Sequence, residues 1–293
     1  MATEGVCCMS VQDFTSLTRS RHGGFARKIG RYLSGSAALL LCSVISVSAQ
    51  AAALKFAIPP FLPKAELEKS FGPLVQKLSD MTGTPIELEV FPNYLAFWQD
   101  TRTGSSFDIA LDAAPTTDYR VERQHWHVIA KLSGTVTQSL VTGPNVAVLD
   151  PSELINKKIA VQPSPSVSAL TLYQLFPNPV QQPQLVFVDS NRAAADAVKA
   201  GTVAAAVIPT PIAAGYPSLN VVTTTAPLPF LAVSVGPNVS PEVAKSLQAA
   251  LIKLGDTPEG EAMLKQSQLR AFTQATDSDY VGQEKLLEGT FGY

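Results

Sequence analysis

Strand-like and helical patterns alternate along almost the whole chain after residue 53, and this alternation limits the fold more than any other feature. In the first half, short apolar runs typical of strands occupy residues 54–58, 86–91 and 107–111. Apolar residues with helical spacing occupy residues 65–81 and 94–103. Strands that alternate with helices pack into a mainly parallel sheet covered by helices, so we predict an α/β fold.

After a break the alternation repeats. The second set has strand patterns at 159–161, 185–188, 203–208 and 219–223 and helical patterns at 168–175 and 192–200. Extended segments at 125–132 and 136–142 precede this set, an extended run at 230–235 follows it, and helical patterns at 241–254, 258–266 and 277–288 end the chain.

Two α/β sets joined by two extended crossings, near residues 139–142 and 230–234, predict two lobes with a cleft between them. The first lobe would be discontinuous and comprise residues 52–140 and 230–293, while the second would comprise residues 141–229. Ligands bind in such clefts outside the carboxyl ends of the strands, where the connecting loops converge.

Residues 1–51 have the pattern of an export signal. A basic stretch that ends at Arg31 precedes an apolar run from Ala37 to Val47, and Ala49-Gln50-Ala51 then forms a small-x-small cleavage pattern. We predict cleavage after Ala51, with Ala53 as the alternative position, and hence a periplasmic location. An uncleaved anchor is the other interpretation, although the apolar run is short for a membrane span.

The composition of the exported part excludes several classes of partner. All three cysteines lie before residue 52, so the fold must be held by a core without disulfides, which about 240 residues can provide. This part carries 17 basic and 22 acidic residues and no basic cluster, which argues against nucleic acids and anionic membranes as partners. We expect a monomer.

Three serines, Ser164, Ser166 and Ser168, alternate between the strand at 159–161 and the helix at 168–175. A helix N-terminus carries unpaired N–H groups and a partial positive charge, so a serine-rich entry can bind an anion or a hydroxyl. The alternative is that Ser164 or Ser166 only caps the helix.

Several short motifs resemble, in the same order, those of the periplasmic substrate-binding proteins of phosphonate-type ABC transporters. They are Phe71-Gly72-Pro73-Leu74, Asn93-Tyr94, Asp108-Ile109-Ala110, Asp150-Pro151-Ser152-Glu153-Leu154, Lys158-Ile159-Ala160-Val161, Ser190-Asn191-Arg192 and Thr257-Pro258-Glu259-Gly260. The resemblance implies a two-lobed, type II periplasmic binding protein fold. Each lobe would have a mixed, mainly parallel sheet with flanking helices, and the lobes would close by hinge motion. It also implies an anionic phosphonate on the serine turn and an inner-membrane transporter as partner.

Two departures from the family pattern concern the ligand. Asn191 stands where the family usually has a histidine, and Gly201-Thr202-Val203 stands where an acidic residue holds an ammonium in some members. Only Arg192 could then supply charge near the serines, unless it is a solvated residue at the start of a helix.

The loops that face the inferred cleft are also apolar, and the segment 142–226 has only eight charged residues, which suits a largely apolar ligand. Our main hypothesis is a lipid-like ligand such as a sterol or related polycyclic alcohol. Phe61 and Tyr94 would face this ligand, and Asp118, Tyr119 or Asn191 would hold its polar end. Phe91, Phe97 and Trp98 could line the cleft too, or fill the lobe cores.

Three alternatives stay open. A phosphonate, phosphite or similar oxyanion could bind Ser164, Ser166 and Ser168 with Arg192, in a component of an ABC importer. The protein could instead be a sensor or lipid shuttle without an ABC transporter, with an outer-membrane partner possible. A metal-binding role would need His125 and His127, but the sequence offers no third ligand near them.

No nucleophile elbow, phosphate-binding loop or dinucleotide motif is present, so we predict neither an enzyme nor a bound cofactor.

Overall fold

A computed structural model describes residues 52–293 of the chain; the predicted export signal lies outside these residues. The helices are α1 (Lys64–Thr82), α2 (Tyr94–Arg102), α3 (Ala114–Gln124), α4 (Val167–Leu175), α5 (Asn191–Lys199), α6 (Thr210–Ala213), α7 (Pro241–Lys253) and α8 (Pro258–Gln266). The strands are β1 (Leu54–Ile58), β2 (Ile86–Val90), β3 (Ile109–Asp112), β4 (His127–Leu132), β5 (Thr135–Val136), β6 (Gln138–Thr142), β7 (Lys158–Val161), β8 (Gln184–Phe187), β9 (Ala205–Pro209), β10 (Asn220–Thr224), β11 (Leu228–Pro229), β12 (Ala232–Val235) and β13 (Phe272–Gln274).

The strands form two main sheets. The first has six strands in the order β13-β4-β12-β3-β1-β2, with β1 parallel to β2 and β3 and with β12 antiparallel to its neighbours. The second has five strands in the order β10-β6-β9-β7-β8, with β7 parallel to β8 and β9 and with β6 antiparallel to β9 and β10. The prediction of a two-lobed α/β fold with mixed sheets is confirmed, and the first sheet takes strands from both ends of the described chain.

The chain passes between the two sheets twice, and the two crossings pair with each other. β5 and β11 form a short antiparallel ribbon, with Val136 opposite Leu228 and Thr135 opposite Pro229. β6 belongs wholly to the second sheet and spans residue 140. The lobe boundaries at residues 140 and 229 stay predictions.

Each sheet has its own apolar core, because one face of each amphipathic helix packs on it. In the first lobe, Leu67, Phe71 and Leu78 of α1 are fully buried. In the second lobe, Ala194, Ala195 and Val198 of α5 pack against the apolar strands of the sheet. The helices are thereby fixed on the sheets, so the loops at the strand ends keep defined positions.

Three features differ from the sequence-based prediction. Helix α3 was missed because its inner face is polar: Thr116, Thr117, Asp118 and Arg120 are all buried. The predicted helix at 277–288 is instead two 3-10 turns, Asp277–Asp279 and Gln283–Leu287, separated at Gly282, which has a φ of 84°. The short elements α6 and β13 also carried no clear periodic signal.

None of the helices in the described part of the chain is long and apolar enough to cross a membrane.

Candidate ligand-binding cleft

A cavity of about 540 Å³ is lined by residues of both lobes. The loops after β1, β3 and β7, the starts of α4 and α5, and the ribbon β5–β11 all contribute to it. Its apolar wall is formed by Phe61, Leu62, Leu132, Val136, Ile212, Leu228, Phe230 and Leu231. The size and position suit a small organic ligand held between the lobes.

The serine turn lies on the cavity wall and also caps a helix. Ser166 Oγ accepts a hydrogen bond from the Ala169 N–H at 3.2 Å and donates one to the Gln162 carbonyl at 2.9 Å. Ser166 and Ser168 both line the cavity, whereas Ser164 is not among the lining residues of the described chain. Ser166 therefore occupies both the cap position and a cleft position, and ligand binding by the three serines stays a prediction.

Ser168 connects two amide side chains at the polar end of the cavity. Its hydroxyl oxygen lies 3.2 Å from Gln138 Oε1 and 3.0 Å from Asn191 Oδ1. Gln138 begins β6 and is 3% exposed, and both amide residues line the cavity. The sequence analysis found Asn191 but missed Gln138. The available signal was an amide residue at the start of the extended segment that crosses between the lobes.

Arg192 is the only charged residue that lines the cavity among residues 52–293, and it lies at its exposed edge. Its Nη2 donates a hydrogen bond to Gln268 Oε1, 2.8 Å away, and Gln268 also lines the cavity from the first lobe. The cavity therefore has a positive edge and, within the described chain, no acidic lining residue.

Tyr94 supplies a hydroxyl from the first lobe. Burial raises the pKa of Tyr94, and the nearby Asp112 carboxylate raises it further. The phenol therefore stays protonated at neutral pH and can donate a hydrogen bond to a ligand in the cavity. Phe61 and Phe97 also line the cavity, but Phe91 and Trp98 fill cores of the protein instead.

The lobes touch each other directly around the cavity. Gln162 Nε2, in the second lobe, donates to the Phe61 carbonyl of the first lobe at 3.2 Å. Leu287, in the last 3-10 turn, is fully buried against Trp98 of the first lobe and Leu170 of α4. The ligand cavity thus lies between contacts that hold the two lobes together.

The structure places Asp118 and Tyr119, the residues expected to hold the polar end of a ligand, outside the lining of the cavity. Asp118 lies under the C-terminal segment, where its Oδ2 accepts a hydrogen bond from the Glu284 N–H at 2.8 Å, and burial raises its pKa. The ring of Tyr119 packs on Trp98 and Tyr293, with centroid distances of 5.1 and 6.2 Å. Both residues face the C-terminal segment because it folds back along α3.

A buried ion pair supports the first-lobe side of the cavity. Arg120 Nε lies 2.6 Å from Asp112 Oδ2, and both side chains are 0% exposed. Arg120 also donates to Thr101 Oγ1 at 2.8 Å, and its guanidinium carbon lies 4.6 Å from the centroid of the Phe107 ring. Burial raises the pKa of Asp112, and the Arg120 charge opposes that rise. The cluster ties β3 to α2 and α3, which carry lining residues.

The histidine pair is not arranged for a metal. His127 Nδ1 lies 3.0 Å from Asp277 Oδ2, and Trp126, between the two histidines, is buried beside Arg120. Within residues 52–293 no group of three or more His, Cys, Asp or Glu residues could hold a metal ion.

Two α/β lobes, of which the first is built from both ends of the described chain, with a cavity between them, define a class, the two-lobed solute-binding proteins. The sequence profile of a family described as "ABC transporter, phosphonate, periplasmic substrate-binding protein" matches residues 56–280. The chain belongs to this family and is a periplasmic solute-binding component of an ABC transporter. The family consists of substrate-binding proteins, not enzymes.

Solved structures with this fold include phosphonate-binding proteins. PhnD1 from Prochlorococcus marinus, solved with methylphosphonate, is 15% identical with a TM-score of 0.69, over 81% of this chain and 97% of that one. A binding protein component of an ABC phosphonate transporter from Pseudomonas aeruginosa is 18% identical with a TM-score of 0.67, over 80% of this chain and 85% of that one. A Xanthomonas citri protein solved with ATP is 15% identical with a TM-score of 0.63, over 81% of this chain and 96% of that one. No individually curated protein matches the chain.

Proposed function

We propose that this protein captures an organophosphonate or closely related oxyanion whose organic substituent is uncharged and largely apolar, and delivers it to an inner-membrane ABC importer. The observation that carries the proposal is the composition of the cavity. Its polar end has the start of α4, Ser166, Ser168 and Asn191, with Arg192 at the edge. Membership of the phosphonate-type family and the fold shared with phosphonate-binding proteins support the same ligand class.

The charges around the cavity favour an anion and disfavour a cation. A helix N-terminus stabilises an anion through free N–H groups and its dipole, and α4 directs this end at the cavity. An aminoalkylphosphonate would bring an ammonium into a cavity that, in the described residues, has no acidic lining side chain. Such a buried, unpaired charge is costly, so the ammonium should weaken binding.

The apolar walls define the other end of the ligand. Phe61, Ile212 and Phe230 offer surface to a hydrocarbon group but no charged partner. The volume of about 540 Å³ leaves room for a substituent beyond the phosphonate head. A second candidate, a lipid-like ligand such as a sterol whose hydroxyl binds Asn191, is favoured only by these walls.

Calorimetric titration of the purified protein with methylphosphonate and 2-aminoethylphosphonate tests the proposal. We expect methylphosphonate to bind at least about tenfold more tightly, because an ammonium left without a partner in the cavity costs about 1–3 kcal/mol. Ser168→Ala removes the hydroxyl that holds the Gln138 and Asn191 amides in place, so it should weaken methylphosphonate binding by a similar energy, whereas Ser218→Ala, at an exposed serine of the second lobe, should not.

The same protein preparation separates the two candidates. Mass spectrometry of its organic extract should show no stoichiometric lipid. A co-purifying sterol or other lipid, with no phosphonate binding at millimolar ligand, would refute the oxyanion and support the lipid-like ligand.

A further inference from the structure

The hydroxyl of Ser168 faces two carbonyl-type oxygens and has only one hydrogen to donate. Gln138 Oε1 lies at 3.2 Å and Asn191 Oδ1 at 3.0 Å from the same oxygen. While both partners are oxygens, only one of these two contacts can be a hydrogen bond. An amide group keeps its shape when it turns by half a rotation, which exchanges its oxygen and its NH₂. The three side chains therefore pair fully only when one amide turns and donates to Ser168.

We assign the turn to Asn191, because it is the less buried of the two amides. Ser168 then donates to Gln138 Oε1, which is nearly fully buried, and Asn191 Nδ2 donates to Ser168. Because both amide residues line the cavity, Asn191 Oδ1 then remains as an acceptor for a ligand and Gln138 Nε2 as a donor. The cavity consequently offers one acceptor beside several donors.

Several donors line the same cavity as this acceptor. Val167 and Ser168 carry the first N–H groups of α4, which have no acceptor within the helix, and both residues line the cavity. Arg192 follows Asn191 directly at the start of α5. A ligand head that matches this set needs ionised oxygens for the donors and one hydroxyl for Asn191.

We propose that the cleft selects the singly protonated monoanion of its ligand, R–PO₃H⁻, whose P–OH donates to Asn191 Oδ1 while its ionised oxygens accept from α4 and Gln138. The inference rests on the proposed function and adds to it the protonation state that the site accepts. A sulfonate, which has the same shape and charge but no hydroxyl, would leave Asn191 Oδ1 without a donor.

No histidine or carboxylate lines the cavity in the described part of the chain; Asp112, beside Tyr94, lies outside the lining and is paired with Arg120. Burial raises the pKa of Tyr94 and of Tyr216, which also lines the cavity, further above neutrality. Helix α4 and strand β6 contain no titratable residue other than Tyr173, which does not line the cavity. On α5, Asp196 accepts a hydrogen bond from the Tyr216 hydroxyl, and Lys199 is exposed at the end of the helix. A pH dependence of binding near neutrality would therefore come from the ligand.

Titrations with methylphosphonate and methanesulfonate, from about pH 6 to about pH 9, test the inference. Methylphosphonate affinity should fall about tenfold per pH unit above its second ionisation, measured by phosphorus NMR of the free ligand, because only the monoanion binds. Methanesulfonate should bind about tenfold to a hundredfold more weakly than the phosphonate monoanion, because a buried acceptor is left unpaired. Equal affinities of the two ligands, or phosphonate binding independent of pH, would overturn the inference and leave the proposed function intact. Failure of methylphosphonate to bind at any pH would overturn both.

A variant of Asn191 separates this role from a structural one. Asn191→Leu keeps the side-chain size but removes the acceptor, so the ratio of the two affinities should fall to within about threefold. Asn220→Leu, on β10 and outside the cavity lining, should keep the full ratio. Thermal unfolding checks that both variants are folded. Retention of the full ratio in folded Asn191→Leu would refute the assignment of Asn191.

Discussion

Replacing Asp112 by asparagine tests how the first lobe holds the helices that carry its part of the cleft. Asp112 and Arg120 form a fully buried ion pair with a separation of 2.6 Å between Oδ2 and Nε. Arg120 donates further hydrogen bonds to Ser105 and Thr101, which lie beyond the end of α2 and within it. The asparagine side chain would keep an acceptor for Nε, but the guanidinium would lose its counter-ion.

The magnitude follows from the burial of the pair. Removing one partner of a buried ion pair costs about 3–5 kcal/mol, because the other charge stays uncompensated. We expect the lower half of this range, since the rings of Phe107 and Trp126 lie 4.6 and 4.9 Å from the cation and stabilise it. For a chain of this size each kcal/mol lowers Tm by about 2–4 °C, so Tm should fall by roughly 6–16 °C.

Urea unfolding followed by tryptophan fluorescence measures the loss, because Trp126 lies within the cluster. The matched control is Glu259→Gln, which removes an exposed pair with Lys77 at 2.7 Å and should cost no more than about 1 kcal/mol. A loss from Asp112→Asn as small as that of the control would show that charge compensation does not hold the cluster together.

Three further changes have defined outcomes. Arg192→Gln should weaken methylphosphonate binding by no more than about fivefold and reduce its salt dependence in calorimetry, because an exposed charge contributes about 0.2–1 kcal/mol. Leu287→Ala should lower the unfolding free energy by about 2–5 kcal/mol and increase the radius of gyration in small-angle scattering, whereas Leu251→Ala, within the first core, should only destabilise. Asp118→Asn keeps an acceptor for the Glu284 N–H. Because burial raises the pKa of Asp118, its ionisation destabilises the folded state as pH rises above the ordinary aspartate range. The free energy of unfolding of the variant in urea should therefore match or exceed that of the wild type at about pH 7, and any advantage should be lost near pH 3.

The local order of elements made part of the site predictable. A strand, a serine-rich turn and a helix follow each other at residues 158–175, and this order alone places the start of the helix at the carboxyl end of the strand. Asn191 follows β8 at the start of α5, but it was singled out by the resemblance, because it stands where the family usually has a histidine.

The rest of the site depends on contacts between distant parts of the chain. Gln138 reaches the cavity because β6 pairs with β9 and β10, strands that lie more than sixty residues further on. Asp118 and Tyr119 lie away from the cavity because the C-terminal segment covers α3. Periodicity along the sequence contains no information on either contact, and the polar inner face of α3 removed the usual apolar signal as well.

The pairing of β5 with β11 limits how the lobes can move. Two separate crossing segments would allow twisting and sliding in several directions, but segments that are hydrogen-bonded to each other bend together, which favours a single swing axis. Val136 and Leu228 are opposite each other in this ribbon and both line the cavity. The ribbon that would bend on lobe closure therefore contributes residues to the binding cavity, and a bulky ligand substituent that presses on them would resist closure. The length of the ligand's organic substituent would thus decide which ligands this protein brings to the membrane transporter in a closed conformation.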